Sequence, residues 1–382
     1  MSVKGSVREE LASQPKISRL ENGVVEKENE FLQELLPVLY VQQFKKPPHK
    51  VVLDLDTTCD EAHGYQQLTF FNGFYGTYCY VPMFIFDNNG FPLSALLRAG
   101  NAAPEEGALQ MLKQVVKHLR QAWPDVAIDF RGDAAFCLPE LYSYCEKNKI
   151  QYFIGLKPNH SVDCKTKELV NHAKSMYESV YGQSRPLIHG KKDKKLARLA
   201  WRKKEERIRF SSKEEGRIQE HFEDEKQIRL VGEFPYEARG WGCERRVICR
   251  VDYTEEGPDV RYIITNNVYG RPKWIYENKY CRRGQCENWI KEIKNYLKCD
   301  RTSCQEFAAN QFRLLLHVFA YLLLREIRNR LPSKATNISV QTVMLRFVKI
   351  GVLVKETTRK IWLHYSSGHP AQLEFAAISQ RL

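Results

Sequence analysis

Tyr280, Arg283, Glu287 and Lys294 fall within one fifteen-residue stretch, YCRRGQCENWIKEIK, and together their types suit work on a phosphodiester. The carboxylate can hold a hard divalent cation, the two cations can meet phosphate oxygens, and the phenol can donate a hydrogen bond. The spacing predicts a helix in which Tyr280, Glu287 and Lys294 form one line with Arg283 beside it, because positions seven apart differ by only about 20° around the axis. Cys286, Ile290, Ile293 and Leu297 follow the three/four spacing of a buried stripe, so this helix docks by that flank and leaves the polar line at its edge. Alone, the line reads more simply as a solvated charged face.

Two further carboxylates change that balance. In HKVVLDLDTT, residues 49 to 58, Val51, Leu53 and Leu55 alternate with Val52, Asp54 and Asp56, which predicts a strand with both aspartates on one side. In VAIDFRGDAAFC, residues 126 to 137, an apolar run ends at Gly132 and Asp133, where a strand of an open α/β sheet usually meets its ligand. Each aspartate by itself is more often a strand-end residue or a helix cap. One aspartate of the first strand, Asp133 and Glu287 make three carboxylates, the donor set of a two-metal phosphoryl-transfer site.

The elements that must position them follow from periodicity. TYCYVPMFIFD (77 to 87) and PLSALLRAG (92 to 100) read as strands joined by a turn at Asn88, Asn89 and Gly90. A helix over 107 to 123 is marked by Leu109, Leu112, Val115, Val116 and Leu119; a helix over 138 to 149 and the strand QYFIGLK (151 to 157) follow. Between Asp133 and Glu287 lie 153 residues, too many for a structureless connection. Residues 164 to 183 look helical, and ARLAWRKK, RIRF, QIRLVGEF, RRVICRVDY and VRYIITNNV read as short strands within 186 to 275. ANQFRLLLHVFAYLLLREIRNRL reads as a core helix; its run LLLHVFAYLLL (314 to 324) is too short to span a bilayer.

The pattern Tyr, two residues, Arg, three residues, Glu, six residues, Lys resembles, without gap or substitution, the signature of bacterial insertion-sequence transposases that use a DDE triad. LDLDTTCDEAHG, FFNGFYGTYCY, FRGDAAFC, GLKPN and TNNVYG resemble further blocks of that family, and the likeness runs from about residue 10 onward. The resemblance implies an α/β fold: a ribonuclease H-like mixed sheet flanked by helices, interrupted by a mainly β insertion domain before the last catalytic helix. It implies a triad of Asp56, Asp133 and Glu287, with Asp56 preferred over Asp54 because the family's first aspartate usually lies two residues before a threonine, here Thr58. Asp60 and His63 read either as residues supporting the site or as turn formers.

Further implications concern chemistry and partners. Two Mg²⁺ ions about 3.5 to 4 Å apart, with Mn²⁺ as a substitute, would serve transesterification at a phosphodiester. Tyr280, Arg283 and Lys294 would hold DNA phosphates, positioning the DNA without selecting a sequence. In the insertion, Trp201 and Trp241, near Arg202, Lys203, Arg239, Arg245 and Arg246, are candidates for stacking on an unpaired base; packing a small core is an equal reading for each. The implied partners are double-stranded DNA, both the inverted-repeat ends of the element and the target, and a second copy on DNA as a homodimer, in the bacterial cytoplasm at the nucleoid.

The expected division is 1–48 as a short N-terminal segment and linker, 49–163 and 276–332 as the two parts of the core, 164–275 as helix plus β-rich insertion, and 333–382 as a C-terminal segment. Only about a dozen residues precede SQPKISRLEN (13 to 22), where relatives carry a helical end-recognition region, so a truncated, DNA-occupying remnant is the alternative expectation; a host nuclease of the same fold is a weaker third. Composition agrees with a polyanionic partner: 59 Lys and Arg against 46 Asp and Glu leave +13. Positive charge concentrates in residues 189 to 204, although such runs are usually solvated faces. Eleven cysteines without CxxC and histidine spacing give neither a zinc site nor a disulfide framework, and no signal peptide or membrane partner is expected.

Overall fold

The computed structural model describes residues 2–3, 13–182, 226–331 and 338–380. The chain divides into two compact units, one formed by 1–154 with 280–382, the other by 155–279.

The first unit opens with β1 (Ser2–Val3), α1 (Gln14–Asn22), α2 (Glu26–Gln42) and β2 (Lys50–Thr57). It continues through β3 (Asp60–Glu61), β4 (Phe70–Asn72), β5 (Thr77–Tyr80), β6 (Met83–Asp87) and β7 (Pro92–Leu96) to α3 (Ala108–Ala122), β8 (Ala127–Gly132), α4 (Pro139–Lys147) and β9 (Ile150–Leu156). The main sheet of this unit runs β9-β8-β2-β6-β7. β2 is parallel to β8 and antiparallel to β6, and β8 is parallel to β9. The alternation read in β2 holds, with Val51, Leu53 and Leu55 fully buried, but its other face is covered too: Asp54 is 0% and Asp56 8% exposed. The register that sets Leu55 beside Gly132 brings Asp56 and Asp133 to the same end of two parallel neighbours.

One sequence expectation changes here. Residues 77–87 are two strands, because Pro82 has no N–H to give a ladder; its carbonyl instead accepts from Thr58 N at 3.0 Å, and β5 joins a small sheet of order β3-β5-β4. Within the expected linker, α1 covers most of SQPKISRLEN, with proline in its first turn where a missing N–H costs nothing. The strands expected at ARLAWRKK and RIRF lie outside the described residues, as does Trp201.

The second unit holds α5 (His160–Tyr181) and an antiparallel meander of β10 (Ile228–Tyr236), β11 (Arg245–Thr254) and β12 (Gly257–Thr265). Ala173 and Tyr177 of α5 pack on Val251 and Tyr253 of β11.

The chain then makes a wide π turn (Ile275–Tyr280) and a tight 3₁₀ turn (Cys281–Arg283) before α6 (Gly284–Leu297). The first unit is completed by α7 (Phe307–Asn329), α8 (Val340–Val343), β13 (Val352–Glu356), β14 (Ile361–Tyr365) and α9 (Gln372–Gln380). β1, β14 and β13 form a separate sheet in that order. Cys286, Ile290 and Ile293 of α6 are buried with Phe84, Phe86, Leu314, Leu315 and Tyr321, so the apolar flank read from the sequence faces the core. α7 runs 23 residues, further than its apolar run, and is long and apolar enough by length and composition to cross a membrane; half of its most apolar stretch is buried in this core. No two of the eleven cysteines are joined in a disulfide.

Candidate active site

Asp56 ends β2, Asp133 caps the short 3₁₀ turn after β8, and Glu287 lies in the first turn of α6. Arg283 gathers them. Its Nη1 donates to Asp56 Oδ2 at 3.0 Å, and its Nη2 lies 3.8 Å from Glu287 Oε1. Burial pushes the Asp56 carboxyl up to about 6; Arg283 and the Thr57 amide pull it down, and the charges of Asp133 and Glu287 raise it again. Asp133 and Glu287 both act on the Asp56 charge beside one guanidinium, so the three carboxylates form a single site although the sequence separates them widely. Asp133 Oδ1 also accepts from Ala135 N at 2.9 Å, which fixes its direction.

The two aspartates of β2 have different roles. Asp54 Oδ2 accepts from Arg131 Nη2 at 2.6 Å, Oδ1 accepts from Nε of the same guanidinium, and both residues are buried. That fork satisfies Asp54 inside the protein, whereas Asp56 keeps an edge on the cluster. Arg131, one of the partners missed by sequence reasoning, carries no local signal, since its pairing depends on the β2–β8 register.

Tyr280 is not on the same α-helix as Glu287. It closes the π turn, whereas Glu287 and Lys294 share α6. Its ring nevertheless lies within cation–π reach of Arg283, 6.0 Å from guanidinium carbon to centroid, and burial, first, then the Asp133 charge raise its pKa against Arg283. Wide turns of this kind often mark functional segments.

Lys294 meets residues just beyond the end of β2. Its Nζ lies 3.2 Å from Asp60 Oδ1, donates to Thr58 Oγ1 at 3.1 Å, and donates to the Cys59 carbonyl. Asp60 is fully buried, and burial pushes its carboxyl up to about 7 against the pull of Lys294. In the second unit, Trp241 is buried edge-on against Tyr236 with ring centroids 5.3 Å apart, and the Arg245 guanidinium lies over its ring.

As the side chains lie, no three acidic, histidine or cysteine groups among the described residues stand close enough together to hold a metal ion. The donor chemistry nevertheless fits a hard divalent cation, because carboxylate oxygens converge on one cation already.

A mixed sheet that brings two strand-end aspartates to a helix-borne glutamate defines an α/β protein with a carboxylate site. The whole chain, residues 1–382, matches the family model Transposase DDE domain group 1, and the protein belongs to that family of DDE transposases. No protein of curated function matches it. Among solved structures it is similar to the piggyBac transposase synaptic complex with hairpin DNA, at 10% identity over 81% of this chain and 54% of that one, with a TM-score of 0.34. It is also similar to the Mos1 transposase paired-end complex with left transposon end, at 14% identity over 53% of this chain and 58% of that one, with a TM-score of 0.20. The chain thus spans little more than half the length of either.

Proposed function

We propose that this DDE transposase cuts and rejoins DNA at the ends of a bacterial insertion sequence, with Asp56, Asp133 and Glu287 as its triad on a ribonuclease H-like core. One observation carries the reading: Arg283 touches both Asp56 and Glu287, and the Asp133 charge acts on the same group. Family membership supports transposition, and the carboxylate donors support Mg²⁺ or Mn²⁺ as the cofactor.

Asp56, Asp133 and Glu287 would hold the metal. When bound there, the ions supply activation of the attacking oxygen and stabilisation of the leaving one. The chain's own side chains do the rest. Arg283, which meets Asp56 and Glu287, would offer its planar fork to a phosphate. Tyr280, beside it, donates a hydrogen bond to a backbone phosphate. The second unit is read as the β-rich insertion that helps to grip DNA, and the working form on DNA is a homodimer at the bacterial nucleoid.

The test uses purified protein on a labelled duplex carrying the element's ends, in Mg²⁺, in Mn²⁺ and in chelator. Cleavage in either metal, absent in chelator and in Asp56→Asn, is expected. Binding without cleavage in any condition would replace the enzyme reading with a DNA-occupying one.

A further inference from the structure

Lys294 sits on the same helix as Glu287, and its ammonium is held against residues 58–60. Its Nζ donates to Thr58 Oγ1 at 3.1 Å and to the Cys59 carbonyl, and lies 3.2 Å from Asp60 Oδ1 as an ion pair. Its side chain is 19% exposed and the Asp60 side chain 0%; among the described residues neither Asp60 oxygen accepts a hydrogen bond, so the Lys294 charge is what faces this buried carboxylate.

The placement of that pair gives it a mechanical consequence. Asp60 lies in β3, held by pairing with Tyr80, four positions beyond Asp56. α6 is therefore fastened to the end of β2 at two points: Arg283 to Asp56, one turn before Glu287, and Lys294 to residues 58–60, two turns after it. Two fastenings on either side of one side chain fix both the rotation and the axial position of the helix that presents it. We propose that Asp60 is a positioning residue of this site, holding Lys294 against Thr58 and Cys59 so that Glu287 faces Asp56. This rests on reading Glu287 as a triad member.

The test compares wild type with Asp60→Asn, Lys294→Met and the double variant Asp60→Asn/Lys294→Met, all as full-length protein. Three readouts are taken: cleavage turnover, affinity for the labelled duplex, and amide hydrogen exchange over residues 284–297 without DNA. A displaced catalytic group can cost about a hundredfold in rate, so a fall in turnover of about ten- to a hundredfold is expected in each variant, with duplex affinity within about twofold of wild type. Exchange over 284–297 should rise in all three, and the double should be no worse than either single variant. The double variant has no unpaired buried charge, so it should fold even where a single variant does not.

Wild-type turnover in Asp60→Asn, or in a folded double variant, would overturn the proposal. So would a loss of duplex affinity in Lys294→Met matching its loss of turnover, which would make Lys294 a phosphate contact. If wild type cuts no DNA, the transposase reading fails and the exchange measurement decides alone: unchanged exchange over 284–297 overturns the positioning role.

Discussion

The Arg283 guanidinium meets the Asp56 carboxylate at 3.0 Å across 227 positions of sequence, closing α6 onto the end of β2. Asp56 is buried, and the Asp133 and Glu287 charges push its carboxyl upward while Arg283 pulls it down. Removing the guanidinium therefore leaves a buried carboxylate among like charges.

Arg283→Met should lower stability by an amount that grows with pH. The wild-type Asp56 pKa is already raised from 3.8 to about 6, and loss of Arg283 raises it further. Below pH 5 the carboxyl is mostly protonated and needs no partner, so the variant loses little. At pH 8 it is ionised, and breaking a buried pair of this kind costs about 3–5 kcal/mol at most, less here because Asp56 retains some exposure. Urea unfolding at both pH values measures the difference; an equal deficit at each would show that the pair does not control the Asp56 charge.

Asp54→Ala and Asp56→Asn should separate stability from activity. Asp54→Ala strands the buried Arg131 guanidinium and should cost about 3–5 kcal/mol. Asp56→Asn removes a desolvated charge, so its stability should change by less than about 1.5 kcal/mol while cleavage is abolished. Denaturant midpoints and a cleavage assay on the same preparations read both, and the reverse pattern would make Asp54 the triad member.

The turn read at Asn88, Asn89 and Gly90 bears on the site through packing. Gly90 has φ of +81°, and a Cβ there would lie 2.5 Å from Trp289 Nε1 of α6. Trp289 in turn packs on Phe86, with ring centroids 5.7 Å apart. Gly90→Ala should therefore destabilise by about 2 kcal/mol or more and move α6, lowering cleavage as well. A melting temperature equal to wild type would show that the turn and Trp289 yield freely.

Trp241→Ala should loosen the second unit. Its ring is packed on Tyr236 and beneath Arg245, and truncating a buried tryptophan costs about 3–5 kcal/mol. Limited proteolysis should find new cuts within 226–279 before any in the first unit. Unchanged proteolysis with weaker binding to DNA containing an unpaired base would favour the stacking role instead.

What the sequence disclosed was whatever has a period. The alternation of Val51, Leu53 and Leu55 located β2, the stripe of Leu112, Val115, Val116 and Leu119 located α3, and Cys286, Ile290 and Ile293 marked the docking flank of α6. Pairings across long separations left no such trace. Arg131 reaches Asp54 across 77 positions and Lys294 reaches Thr58 across 236, and neither can be read without the strand register and the way α6 lies on β2. The π turn ending at Tyr280 was hidden for another reason: side-chain spacing assumes 3.6 residues per turn, and the backbone departs from it there. Strand breaking at Pro82 was open to inspection, since proline inside an apolar run demotes it.

The most direct measurement is the Mg²⁺ dependence of cleavage and strand transfer on a labelled duplex carrying the element's ends, for wild type and Glu287→Gln, with duplex binding followed in the same samples. The expected result is metal-dependent cutting and joining by wild type, loss of both by at least about a thousandfold in Glu287→Gln, and equal binding by the two proteins. Cutting that survives in Glu287→Gln, or that proceeds without a divalent cation, would contradict a metal-holding site built from Asp56, Asp133 and Glu287.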